Sequence, residues 1–170
     1  SKAFDVINHE ILIKKLYSYG IRGIAHTWFK SYLQNRNQYV SIKNKSSNKL
    51  NITSGVAQGS ILGPLLFIIF MNDFHLATDA HHLLYADDTN IFFPTSNPSN
   101  DVEIINKSLD DVSNWFINNK LIVNFSKCNY ILFGPKILTN TIPNLDIKMN
   151  NLSIPRTSST KFLGVIIKDN

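Results

Sequence analysis

The stretch Leu83-Leu84-Tyr85-Ala86-Asp87-Asp88-Thr89-Asn90-Ile91-Phe92-Phe93 sets two adjacent carboxylates inside an otherwise apolar run. Acidic residues are disfavoured within strands, because burying a carboxylate is costly unless something compensates. The flanking residues therefore predict two short strands that meet at Ala86-Asp87-Asp88-Thr89. Two readings of that junction stand side by side. One is a solvated turn, where Asp is ordinarily found. The other is a turn that presents carboxylates to Mg²⁺, a hard cation that prefers oxygen ligands. Two such ions would activate a primer 3′-hydroxyl and stabilise a pyrophosphate leaving group in nucleotidyl transfer.

Upstream lies Gly55-Val56-Ala57-Gln58-Gly59-Ser60, which precedes the apolar segment Ile61 to Phe74. Glycines at such a turn allow the backbone to approach a ligand closely, and Gln58 offers both a donor and an acceptor amide. Alone this pattern is a strand-to-helix turn. In the same chain as the acidic pair it favours the catalytic reading. The segment 61–74 is apolar all round, with Pro64 placed in the first turn, and predicts a helix buried inside the domain.

Further outward, Asn8 is placed to cap a helix carrying Ile11, Leu12, Leu16 and Tyr19, with Gly20 ending it. A second amphipathic helix is expected from about Ile24 to Leu33, with Trp28, Phe29 and Leu33 towards the core. Tyr39 to Lys43 and Leu50 to Ser54 alternate as a strand pair. After a polar loop from Pro94 to Asn100, the apolar stripe Val102, Ile105, Leu109, Val112, Trp115 and Phe116 predicts a long amphipathic helix. Strand candidates follow at Leu121–Asn124, Asn129–Phe133, Leu145–Met149 and Lys161–Ile167. With no repeat or linker in view, residues 1–170 read as one α+β unit, an antiparallel sheet with helices packed on one face.

The chain has 170 residues, 44% of them hydrophobic, and a formal net charge of +5. This suffices for a sizeable core and leans towards a polyanionic partner such as nucleic acid. The single cysteine, Cys128, excludes an internal disulfide framework or a Cys-rich zinc site and reads as a buried or half-buried thiol. The longest apolar run, Leu65 to Met71, is far short of the roughly 20 residues that span a bilayer, and no secretory leader opens the sequence. The expectation is a soluble intracellular protein, cytoplasmic or nuclear, with no membrane partner. The start at Ser1-Lys2-Ala3-Phe4-Asp5 and the end within a strand candidate suggest a fragment.

Ser1-Lys2-Ala3-Phe4-Asp5, the run from Gly55 to Phe67 and Tyr85-Ala86-Asp87-Asp88-Thr89 resemble palm motifs A, B and C of reverse transcriptases from non-LTR retrotransposons, most like the jockey-type elements of animals. Tyr19 to Gly23, Trp28-Phe29, Ser31-Tyr32-Leu33 and Asn35-Arg36 are similar to that family as well. So are Asn124-x-x-Lys127 and Lys161-Phe162-Leu163-Gly164, which look like motifs D and E. The resemblance covers essentially the whole chain in the family's order. It implies the palm of a right-hand polymerase, ferredoxin-like at its centre, with fingers and thumb outside residues 1–170. The implied activity is RNA-directed DNA polymerisation, with an RNA template, a DNA primer and deoxynucleoside triphosphates as partners and two Mg²⁺ ions as cofactors.

Residue by residue, the resemblance implies that Asp87 is a principal Mg²⁺ ligand and that Asp88 assists. The family's motif A ligand falls about two residues before Ser1 when Ala3 and Phe4 are aligned, so one carboxylate is expected to be missing and the fragment to be inactive. Asp5 is not assigned the metal; a capping or hydrogen-bonding role near Asn8 suits it better. Phe4 matches the aromatic that lies under the incoming sugar and excludes a 2′-hydroxyl. Gln58 and Gly59 match the contact surface for nucleotide and template, with Ala57 in place of the usual Pro. Lys127 matches the lysine proposed to protonate pyrophosphate, against the plain reading of a solvated lysine. Phe162, Leu163 and Gly164 resemble the hairpin that grips the primer, and otherwise read as a buried strand and its turn. The five histidines have no evident metal partners and read as solvated or hydrogen-bonded. Arg36, Lys14, Lys15 and Lys30 are candidates for a template-facing basic surface, with solvated helix faces the plainer account of the lysines.

Two other classes remain open on the sequence. One is a decayed or domesticated copy that only binds nucleic acid, although Phe4, Gln58, Asp87 and Asp88 are all intact. The other is an RNA-dependent RNA polymerase, against which Tyr85-Ala86-Asp87-Asp88 and the aromatic Phe4 argue.

Overall fold

The computed structural model describes residues 3–57, 59–135, 142 and 144–169. The backbone gathers into two compact units, residues 1–75, 83–90 and 117–121 in the first and residues 76–82, 91–116 and 122–170 in the second.

The first unit is built on three helices. Helix α1 (His9–Ser18) starts where Asn8, in extended conformation, accepts a hydrogen bond from the Ile11 amide at 3.1 Å. The cap satisfies one of the free N–H groups of the first turn. Tyr19 closes the helix and Gly20 follows at φ +91, a left-handed position suited to glycine. Helix α2 (Gly23–Leu33) and helix α3 (Leu62–Met71) both pack on α1. The core between them holds Ile7, Leu12, Leu16, Leu33, Leu66, Phe67, Phe70 and Phe74. Each such side chain contributes about 1.5–3 kcal/mol on burial.

Two expectations about these helices change. Helix α3 is not enclosed all round: Ile61 and Ile68 are exposed, and burial follows Gly63, Leu66, Phe67, Phe70 and Met71 on one face. In α2, Leu33 is buried and Phe29 half-buried as expected, but Trp28 is half-exposed and stacks on Tyr32 instead. Lys15 is not a solvated lysine either. Its Nζ donates to the Phe70 carbonyl at 2.7 Å and to Asp73 Oδ1 at 2.6 Å, and it lies 4.5 Å from the Phe70 ring centroid. Burial pushes its pKa below the ordinary lysine value, with the Asp73 hydrogen bond and charge opposing that shift. The ammonium thus ties α1 to the last carbonyls of α3, where a cation suits the helix C-terminus.

Between α2 and α3 an arm of short strands projects: β1 (Asn37–Gln38) pairs with β4 (Leu50–Asn51), and β2 (Ser41–Ile42) with β3 (Lys45–Ser46). Strands β5 (His81–Tyr85) and β6 (Asp88–Phe92) form a hairpin. The single antiparallel sheet expected from the sequence is not what forms. Among the described residues the strands pair as five separate two-stranded ladders. The reason lies in their length and exposure: all eight residues of β1–β4 are exposed, so these strands have no buried face on which further strands could stack.

The second unit is organised by α4 (Pro98–Asn118), whose stripe Ile105, Leu109 and Val112 is buried as its periodicity predicts. Ile105 and Leu109 pack with Ile147, Met149 and Ile154, and Val102, Phe125, Cys128 and Tyr130 close around them. The Cys128 thiol is half-buried, and desolvation raises its pKa. Beside the apolar stripe runs a polar one that the sequence reading missed. It docks the hairpin of β7 (Lys148–Met149) and β8 (Leu152–Ser153), whose turn residues Asn150 and Asn151 both take positive φ. Asn106 Oδ1 accepts from the Lys148 amide at 2.8 Å, Asp110 Oδ1 from the Asn150 amide at 2.6 Å, and Ser113 Oγ from Asn150 Nδ2 at 2.6 Å. Positions 106, 110 and 113 share one helix face by the i, i+4, i+7 rule. Asp110→Ala, which leaves the exposed Asn150 amide to water, is expected to cost about 0.5–1.5 kcal/mol in urea denaturation.

Of the other strand candidates, 121–124 forms no strand and gives way to a 3₁₀ turn at Phe125–Lys127. Tyr130, in 129–133, makes an isolated bridge to Arg156. Residues 161–167 prove to be a hairpin: β9 (Ser159–Phe162) pairs with β10 (Val165–Lys168) across Leu163-Gly164.

Candidate active site

The acidic pair is divided between a turn and a strand. Ala86 and Asp87 alone connect β5 to β6, and Asp88 is the first residue of β6. A two-residue hairpin loop matches the twist of its strands only with positive φ at its first position, a site normally held by Gly, Asn or Asp. Here Ala86 takes it at φ 49. The left-handed conformation costs a residue with a Cβ about 1–2 kcal/mol, and such strain persists where surrounding structure imposes it. Asp87 and Asp88 are both exposed, so neither carboxylate is desolvated and both are open to a ligand. Among the described residues no group of three or more His, Cys, Asp or Glu side chains converges on a metal position.

Residues 3–8 and 54–57 are stitched together. The Val56 amide donates to the Phe4 carbonyl and the Gly55 amide to the Ile7 carbonyl, both at 2.8 Å, and Asn8 bridges Ser54 in antiparallel fashion. Ser54 Oγ donates to the Asp5 carbonyl at 3.2 Å. Buried His9 reaches the Gly55 carbonyl through Nε2 at 2.7 Å, so that nitrogen carries the proton. Asp5 belongs to a 3₁₀ turn over Ala3–Asp5 and its carbonyl serves this junction. Phe4 is half-buried, its ring stacked on Phe67 with centroids 4.5 Å apart.

After this junction the chain turns into α3 around Ser60. Its Oγ donates to the Ala57 carbonyl at 2.7 Å and accepts from the Gly63 amide at 3.0 Å. Ser60 thus does the work of an N-cap, which Ser three residues before a helical amide often does. That spacing ahead of an apolar run was the available sequence signal, and it was missed. Gly63 has a steric reason as well, since a Cβ there would stand 2.6 Å from the Ala57 carbonyl oxygen. Gly59 takes φ +78 and is exposed. Gln58 lies outside the described residues.

Phe4, Gly59 and the Asp87-Asp88 tip fall within the first compact unit. Lys127 and the Phe162–Gly164 turn fall within the second and are described there alone. Lys127 is exposed at the end of the 3₁₀ turn, its amide bonded to the Asn124 carbonyl at 3.0 Å. Leu163 and Gly164 take φ 48 and 86, both positive as a type I′ hairpin loop requires. Leu163 is half-exposed, so this strand and turn are not buried. Four of the five histidines make hydrogen bonds: besides His9, ring nitrogens of His26, His75 and His82 contact the carbonyls of Ile13, Asn72 and Ala80, while His81 is exposed at the start of β5.

Residues 1–167 match the family Reverse transcriptase (RNA-dependent DNA polymerase). The chain is 30% identical to "Probable RNA-directed DNA polymerase from transposon BS" of Drosophila melanogaster, over 98% of its own length and 19% of that protein's. It is 29% identical to "RNA-directed DNA polymerase from mobile element jockey" of the same species, over 98% of its length and 18% of the relative's. A third Drosophila melanogaster relative, "Probable RNA-directed DNA polymerase from transposon X-element", is 27% identical over the same shares. The chain thus spans about one-fifth of the length of these curated relatives. With a match that runs from its first residue nearly to its last, the chain belongs to the reverse transcriptase (RNA-dependent DNA polymerase) family.

Proposed function

We propose that the polypeptide carrying this chain is the RNA-directed DNA polymerase of a non-LTR retrotransposon, extending a DNA primer on an RNA template from deoxynucleoside triphosphates. The observation that carries the reading is the Ala86-Asp87 turn, which exposes two consecutive carboxylates on a strained hairpin tip in a chain of this family. Residues 1–170 are read as one partial reverse transcriptase domain, the palm of a right-hand polymerase, with fingers and thumb supplied by the longer protein.

Asp87 is assigned as the principal Mg²⁺ ligand and Asp88 as its assistant. The pair fits that ion in kind: both are exposed oxygen donors, and Mg²⁺ commonly takes one or two carboxylates, keeping waters and substrate phosphates as its other ligands. A further carboxylate is expected about two residues before Ser1. When bound, Mg²⁺ supplies positive charge against the phosphates of the incoming nucleotide. The protein's own groups align the reactants around it. Gln58 and Gly59 contact nucleotide and template, and the exposed Lys127 ammonium gives a proton to the departing pyrophosphate. The Phe162–Gly164 turn holds the primer.

Phe4 limits the space at the sugar, and its stacking on Phe67 fixes the ring. The experiment is primer extension by the full polypeptide on an RNA template, with dNTPs and rNTPs compared. Extension is expected with dNTPs alone; extension with rNTPs alone would favour an RNA polymerase. Phe4→Val is expected to raise rNTP insertion relative to dNTP by about 10- to 100-fold, the range open to a steric pocket. Unchanged discrimination would leave Phe4 as a residue that only packs against Phe67 of α3.

A further inference from the structure

Charge is segregated along this chain. Residues 11–72 hold eight of its 17 lysines and arginines and none of its 12 aspartates and glutamates. A surface built without acidic residues lacks the usual mutual compensation, and its field attracts polyanions. Lys15 is withdrawn into the Asp73 pair, while Arg36, Lys43, Lys45 and Lys49 are exposed.

Aromatic rings accompany these cations. Trp28 and Tyr32, one helical turn apart on α2, stack with centroids 5.5 Å apart and planes 13° from parallel. The Arg36 guanidinium continues the column, 5.5 Å from the Tyr32 centroid. Trp28 is 51% exposed, so part of its surface is open to solvent. At Arg36 the chain enters the β1–β4 arm, anchored there by the Ile52 amide on the Arg36 carbonyl at 2.8 Å. The arm carries the three lysines, exposed Tyr39, and an open depression bordered by Val40, Ile42 and residues 43–47. Stacking rings interleaved with cations that track a backbone are how proteins hold single strands without reading sequence.

We propose that the Trp28–Tyr32–Arg36 column and the lysine-bearing arm form a docking surface for an unpaired RNA strand. Bases stack against Trp28, while Arg36, Lys43, Lys45 and Lys49 hold phosphates. RNA is the occupant because, on the polymerase reading above, the unpaired strand present during synthesis is the template ahead of the primer end; the inference rests on that reading. Tyr32 also links the column to the turn before α3, its hydroxyl lying 3.5 Å from Ser60 Oγ.

The test measures, by fluorescence anisotropy with the full polypeptide, the affinity for an RNA–DNA hybrid with and without a ten-nucleotide 5′ RNA overhang. The overhang is expected to strengthen binding of the parent protein. Trp28→Ala should reduce that gain by roughly 5- to 100-fold, the effect of losing one stacked base. The triple change Lys43→Gln, Lys45→Gln and Lys49→Gln should lower the salt slope of overhang binding by about two, at about 0.7 per phosphate contact on a single strand. Affinity for the blunt hybrid should stay within about twofold. Circular dichroism shows that each variant is folded, and because the four side chains are exposed, each serves as a check on the others. An overhang gain equal to the parent's in both variants overturns the proposal. So does an equal gain from a DNA overhang on the same hybrid. RNA-templated extension is measured in parallel: its absence from the parent protein is failure of the polymerase reading, whereas extension with an unaltered overhang gain is failure of this surface alone.

Discussion

Asp87→Asn lowers RNA-templated primer extension by the full polypeptide about 10³-fold or more, with the fold intact. The two halves of this expectation have separate causes. Asn preserves the size of the side chain and is at home in tight turns, and Asp87 is exposed, so the hairpin loses little. A stability change within about 0.5 kcal/mol is expected by urea denaturation. The amide, however, has no charge with which to hold a divalent cation, and removing a group that stabilises transition-state charge typically costs about 10²–10³ in rate. Loss of a principal metal ligand belongs at or above the upper end. Asp88→Asn is expected to lose less, about 10- to 100-fold, with partial recovery as Mg²⁺ is raised, because an assisting ligand changes affinity more than assembly. Single-turnover extension across a Mg²⁺ titration separates the two. An Asp87→Asn enzyme that retains a tenth of the parent rate would remove Asp87 from the metal site.

The hairpin carrying Asp87 was legible because its signals are local: apolar residues flank a pair that cannot be buried. The same holds for α1, whose cap, stripe and terminal glycine lie within a dozen residues, and for α4, whose Ile105-Leu109-Val112 stripe repeats over several turns. What was not legible depends on partners distant in sequence. Lys15 looks like any helix-surface lysine until Phe70 and Asp73 are brought to it. Asn106, Asp110 and Ser113 read as the polar face of α4, and only the β7–β8 turn turns them into a docking stripe. Helix α3 failed differently. Apolar composition predicts preference for burial, yet it cannot say whether the chain supplies cover, and Ile61 and Ile68 remain exposed.

The site divides along the same line. The resemblance placed Asp87, Asp88, Phe4 and Gly59 by motif, and all four lie in the first compact unit. Two details escaped it. Asp87 and Asp88 differ in backbone role, one a loop residue and the other the first of a strand, because the loop closes in two residues with Ala86 left-handed. The glycine at position 55 was read as room for a ligand, whereas what approaches it is the protein's own backbone.

Gly55→Ala is accordingly expected to be strongly destabilising, at about 3–5 kcal/mol. The comparison that isolates the cause is Gly20→Ala. Both glycines sit at similar positive φ, +87 and +91, so both substitutions incur the left-handed penalty of about 1–2 kcal/mol. A Cβ at Gly20 meets nothing within 4 Å, and the cost there should stop at that penalty. At Gly55 the new atom would lie 2.8 Å from the Asp5 carbonyl oxygen and 3.0 Å from its Cα. These are backbone atoms, which cannot rotate aside as a flexible side chain can. Relief requires residues 3–8 and 54–57 to part, which strains the bonds from Val56 to Phe4, from Gly55 to Ile7 and from His9 to Gly55. Each contributes about 0.5–1.5 kcal/mol net. Urea denaturation of the two variants reads the difference directly, and a Gly55→Ala protein within about 0.5 kcal/mol of Gly20→Ala would show that the junction yields without loss. Because that junction also sets the backbone of Phe4, the proposed sugar contact, Gly55→Ala should alter dNTP-over-rNTP selection at temperatures where it is still folded. Gly20→Ala, equally left-handed but outside the junction, should leave selection as it is.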